Sequence, residues 1–146
     1  MKKNIYLEFK EEQQNKINKL PIYWAFGQEQ LNELMEKLNI KNDDELKEKC
    51  FGIFGGLALK EDKQLIINTF KQNNEELKER LKNDDFLRDA LEYELANHEY
   101  IITFDITDAL DVLGITHKEY QTNKRINKIV KEAIKNYKED MEKLGW

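Results

Sequence analysis

Cys50-Phe51-Gly52-Ile53-Phe54-Gly55-Gly56-Leu57-Ala58-Leu59 is the stretch on which the fold turns. Two short apolar runs flank a Gly-Gly pair, and glycine supplies the positive φ angles that a two-residue hairpin turn needs. The segment predicts a β-hairpin with Gly55-Gly56 as its turn. On either side lie two more five-residue runs, Ile22-Tyr23-Trp24-Ala25-Phe26 and Tyr100-Ile101-Ile102-Thr103-Phe104. Both read as buried strands, although runs this short carry no period that separates strand from helix.

Helical spacing fills the rest. Tyr6, Phe9, Gln13, Ile17 and Leu20 recur every three or four residues, and Pro21 ends that helix. Leu31, Leu34, Met35 and Leu38 mark a second helix, and Asn42-Asp43-Asp44 opens a short third. Ile66, Phe70, Leu77 and Leu81 keep phase in a long helix from Glu61 to Lys82. Asn83-Asp84-Asp85 offers caps to the next, which buries Phe86, Leu87, Ala90, Leu91 and Leu95. Asp105 or Thr107 caps a short helix closed by Gly114, and Thr116 to Glu119 has capping-box spacing. The last helix follows, with its apolar face running from Ile126 to Leu144. The sum is a single α+β domain over residues 1–146: six or seven helices packed around a small, mostly antiparallel, three- or four-stranded sheet.

Composition removes several classes. The chain has 146 residues, 40% of them apolar, and a single cysteine. That leaves no disulfide framework and no multi-cysteine zinc module. No apolar run approaches the ~20 residues that span a bilayer. Met1-Lys2-Lys3-Asn4-Ile5-Tyr6-Leu7-Glu8 meets a carboxylate before any apolar leader core forms, so no signal peptide is expected. The expectation is a cytoplasmic protein without membrane contact, cofactor or metal.

The charge is localised. Lys plus Arg total 24 and Asp plus Glu 29, giving −5, and residues 61–100 supply that excess with 6 cations against 11 carboxylates. Only Arg80, Arg88 and Arg125 are arginines. Base-edge and bidentate phosphate contacts lean on arginine, so direct nucleic-acid binding is not expected. Glu75, Glu76, Glu79 and Asp84 sit towards the end of the long helix and its turn. Asp85, Asp89 and Glu92 fall at i, i+4 and i+7, one face of the next helix. The plainer reading is a solvated face, since Lys78, Arg80, Lys82 and Arg88 interleave. The functional reading is an anionic surface that docks on a basic protein, for instance a nucleic-acid-binding protein or nuclease.

A second constellation centres on His98. Glu94 lies four residues before it on the same helix face, with Glu99 and Asp105 close in sequence. A carboxylate beside an imidazole can work as an acid/base pair, or join a mixed metal site with Asp108. The plainer reading is a histidine at a helix C-terminus, where the dipole favours a cation. Nothing marks a nucleophile, so no catalytic residue is assigned. The Phe51-to-Gly56 glycines are not followed by the Lys-Ser/Thr of a phosphate loop and read as turn residues. The C-terminal helix, ending in Trp146, leaves a monomer or a weak homodimer open.

Tyr93-Glu94-Leu95-Ala96-Asn97-His98-Glu99-Tyr100 and Asp108-Ala109-Leu110-Asp111-Val112-Leu113-Gly114 carry a resemblance. With Ile22 to Phe26 and the Phe54-Gly55-Gly56 turn, the chain over residues 20–115 resembles a family of small uncharacterised proteins of Gram-positive bacteria and their phages. The resemblance brings no catalytic residue. It implies a context, a mobile-element accessory protein, of which an inhibitor of a CRISPR nuclease is one concrete version. The alternative from another class is a small enzyme or ligand-binding domain around His98.

Overall fold

A computed structural model describes residues 3–146; Met1 and Lys2, the start of the segment read above for a leader, lie outside the described residues. The element order is α1 (Ile5–Asn18), α2 (Gln28–Lys37), α3 (Asp43–Lys49), β1 (Cys50–Ile53), β2 (Gly56–Leu59), a 3₁₀ turn (Lys60–Asp62) and α4 (Lys63–Arg80). Then come α5 (Asp84–Asn97), α6 (Tyr100–Thr103), α7 (Thr107–Val112), α8 (His117–Thr122) and α9 (Lys124–Lys143). Among the described residues that makes nine helices and one two-stranded antiparallel sheet, which corrects the expected three- or four-stranded sheet inside six or seven helices. None of these helices is long and apolar enough to cross a membrane.

The two strands that are missing fail for local reasons. In the 22–26 run only Tyr23 pairs, its N–H donating to Leu57 O at 2.7 Å and its carbonyl accepting from Leu57 N at 2.8 Å. The chain then turns away into α2, and Phe26 N–H donates to Gln30 Oε1 instead of a strand. The 100–104 run is a single helical turn between two left-handed residues, Glu99 (φ 56°) and Phe104 (φ 53°). Its amide groups close on carbonyls three and four residues back, Ile102 N on Glu99 O and Phe104 N on Tyr100 O. Tyr100 is buried in the core, edge-on to Tyr137, and Ile101 packs half-buried against that core, while Ile102 and Phe104 stay exposed.

Two compact units divide the chain, Gln14–Asn74 and the remainder. In the 14–74 unit, Met35, Ile40 and Cys50 are buried with Leu31, Leu38, Leu46, Leu57 and Leu59 against them. The hairpin register pairs Cys50 with Leu59 and Ile53 with Gly56, so its turn is Phe54-Gly55, one residue earlier than expected. Both turn residues have positive φ, 50° and 80°. Gly56 is instead the first residue of β2, and it is glycine because no side chain fits there. A Cβ would lie 2.9 Å from Tyr23 O and 3.0 Å from the Trp24 ring.

The other unit is built from the first part of α1 and from Glu75 onward. Its core runs through Tyr6, Phe9, Phe86, Leu91, Leu110 and Val130. Asn83 accepts from Phe86 N–H to start α5, and the Thr116–Glu119 capping box starts α8. The expected single last helix is broken at Asn123, whose extended backbone ends α8 and whose side chain accepts from Ile126 N–H to begin α9.

Candidate functional site

The acidic stretch divides when its side chains are placed. Glu75, Glu76 and Glu79 are exposed on the end of α4, and Glu79 pairs with Lys82 at 2.8 Å. Asp84 meets Arg125 Nε at 2.6 Å, and Asp85 meets Arg88 Nη1 at 2.9 Å. Asp89 is not on this surface. It is 5% exposed, and its Oδ2 accepts the N–H of Ile5, the first residue of α1, at 3.0 Å. Its carbonyl accepts from Asn4 Nδ2 at 3.0 Å. A carboxylate at a helix N-terminus satisfies an orphan donor and complements the dipole. Glu92 is half-buried and accepts from Asn136 Nδ2 on α9 at 2.8 Å. The i, i+4, i+7 face expected of Asp85, Asp89 and Glu92 is therefore turned progressively into the α1 and α9 contacts.

The second constellation is a buried cluster. Glu94 is fully buried, and such a carboxylate persists only where donors surround it. Tyr6 Oη donates to Glu94 Oε1 at 2.8 Å, and Lys10 Nζ lies 3.3 Å from the same oxygen. The Lys10 ammonium also stands over the Tyr6 and Tyr93 rings, 5.5 and 5.1 Å from their centroids. On the other oxygen, Asn97 Nδ2 is at 3.5 Å and His98 Nε2 at 3.2 Å. The imidazole nitrogen is at ion-pair distance but not aligned for a hydrogen bond, and so has no hydrogen-bond partner. Burial, then the bond to Glu94, pushes the Tyr6 hydroxyl far above its ordinary value. Tyr6 and Lys10 were absent from the sequence reading of this site. The periodicity of α1 marks Tyr6 as buried, but nothing local points 88 residues ahead to Glu94.

The remaining candidates are placed elsewhere. Glu99 is exposed and serves as the left-handed joint before α6. Asp105 accepts from the Thr107 hydroxyl at 2.6 Å and from Thr107 N–H at 2.9 Å, bonds that hold its carboxyl below the usual range. Thr107 in turn sits 3.1 Å from His117 Nε2, so Asp105 serves the α7 start and the other histidine rather than His98. Burial pushes the Cys50 thiol up, which keeps it un-ionised and a poor nucleophile or ligand. Among the described residues no group of three His, Cys, Asp or Glu could hold a metal ion. What the Glu94 cluster offers is one carboxylate fixed by three donors, Tyr6, Lys10 and Asn97, with an imidazole edge at its rim.

No curated protein and no solved structure matches the chain. A family profile described as a family of unknown function, DUF7659, matches residues 5–136 and so takes in both the acidic surface and the Glu94 cluster. By that match the chain belongs to the DUF7659 family.

Proposed function

We propose that the chain is a non-enzymatic, acidic protein-binding module acting in the cytoplasm. In this reading it is a phage or mobile-element accessory protein that inhibits a host or defence protein, a CRISPR nuclease being the concrete version. The observation that carries the reading is the partition of charge. The 14–74 unit holds 9 cations and 9 carboxylates, the rest of the chain 15 and 20, so the whole −5 falls on one unit. Such a field accelerates encounter with a basic surface, and the positively charged guide–target channel of an RNA-guided nuclease is one such surface. The phage context comes from the resemblance over residues 20–115 alone.

The test is charge reversal at exposed positions, Glu75→Lys, Glu79→Lys and Asp85→Lys together, leaving Asp89 in place because it caps α1. With the partner captured from host lysate, the association rate should fall about tenfold or more at low salt and converge with wild type at high salt. An association rate unchanged by the triple reversal would sink the reading.

A second reading, a small ligand- or metal-binding domain around His98, is supported by the imidazole nitrogen left without an aligned partner beside Glu94. Titration with zinc or nickel, followed at the His98 ring resonances, tests it. A His98 signal that does not move removes it.

A further inference from the structure

In the unit that holds Glu75–Trp146, α5 and the end of α9 open into a groove of about 740 Å³, lined also by Lys3 and Asn4 just ahead of α1. Its α5 wall is Asp89, Glu92, Tyr93 and Ala96, the i, i+3, i+4 and i+7 positions of one face. Its α9 wall is Tyr137, Asp140, Met141 and Leu144, the same spacing again. Two parallel walls of about two turns each, ~10 Å long, match a third helix laid between them. The floor is apolar and aromatic, and Leu144 at its rim is 74% exposed.

The rim is acidic. Glu92 and Asp140 stand on opposite walls, Asp140 in the last turn of α9. Carboxylates at a helix C-terminus add to a dipole end that is already negative and cost the free protein stability, so a cation seated there relieves them. The facing cations are few: Lys143 on the rim, Lys3 held by Glu8 at 2.6 Å, and Lys10 held by Glu94. We propose that this groove seats a basic amphipathic helix of the partner protein. Its apolar stripe lies on Tyr93, Ala96, Tyr137 and Met141, and its Lys or Arg residues reach Glu92 and Asp140. This rests on the acidic-module reading and names where and how the partner docks.

The probe is a synthetic leucine/lysine helix about five turns long with leucines at i, i+3, i+4 and i+7, beside a peptide of the same composition in scrambled order. Binding is followed by fluorescence anisotropy at low and high salt, and located by backbone amide shifts on the full chain. The patterned peptide should bind at least about tenfold tighter than the scrambled one and shift amides on both walls. Ala96→Trp, at an exposed position, and Leu144→Gln should each abolish that advantage without changing the thermal melt. Equal, salt-dependent binding of both peptides, or shifts confined to α4, overturns the groove and leaves the acidic module standing. No binding of either peptide at low salt overturns both.

Discussion

Tyr6 and Glu94 form a bond that two measurements can isolate. Removing the Glu94 carboxylate strands the Tyr6 hydroxyl, and Lys10 keeps only its ring contacts and partial exposure. Glu94→Ala should therefore cost about 3 kcal/mol in urea unfolding, the low end for breaking a buried charged contact. Tyr6→Phe should cost about 2 kcal/mol, because a hydrogen bond to a charged acceptor is lost. The double variant should cost clearly less than the sum, since both changes remove one interaction. The pH dependence has a definite sign. Tyr6 ordinarily ionises near 10.0, and in the folded chain it holds its proton well above that. Above that pH the unfolded chain releases a proton that the folded chain keeps, so stability falls as pH rises through the unfolded value. Alkaline unfolding should steepen from there in wild type and lose that slope in Tyr6→Phe, read by denaturation midpoints against pH.

At the scale of elements, the hairpin shows what the sequence displays and what it hides. The Gly-Gly pair correctly announces a turn, but its register depends on Trp24, which packs on Gly56 and leaves no room for a side chain. Phe54 is pushed into a left-handed turn position that favours Asn or Gly, and it rests on Phe70 with ring centroids 5.2 Å apart. Gly56→Ala should cost about 1–3 kcal/mol through the backbone and indole it would strike. Gly52→Ala, whose Cβ meets nothing closer than 3.9 Å, should stay within about 0.5 kcal/mol, and paired thermal melts distinguish the two. The strand readings at 22–26 and 100–104 failed because five apolar residues look alike in a strand, a bridge and a helical turn. What decides between them is where the amide groups bond, and composition does not carry that. Asp89 is the same lesson for charge. Its spacing from Asp85 looks like a solvated face, yet its acceptor role is set by Ile5, 84 residues away. Asp89→Ala should remove the start of α1 at a cost of about 1–2 kcal/mol, with faster amide exchange over residues 5–9 as the local signature.

For the whole molecule, helices were legible wherever an apolar stripe ran three turns or more, as in α1, α5 and α9, and the site was legible only in part. The sequence names Glu94 and His98 as neighbours, which they are, but Tyr6 and Lys10 arrive by tertiary packing. The end of α9 gives a test at this scale. Tyr137 is buried against Tyr100, whereas Leu144 and Trp146 are exposed. Removing residues 144–146 should leave the melt within about 2 °C, while removing residues 137–146 should unfold the Glu75–Trp146 part, as followed by circular dichroism. The Asp89 bond to the start of α1 also has a consequence in time. At ~5–20 residues per second, roughly 4–17 s of synthesis separate Ile5 from the residue that caps it. Through that interval a nascent chain carries Tyr6 and Phe9 uncovered, a sticky stripe awaiting α5, which makes the α1 segment a natural client for ribosome-associated chaperones. The start of α1 is made early and waits for α5 before it is finished.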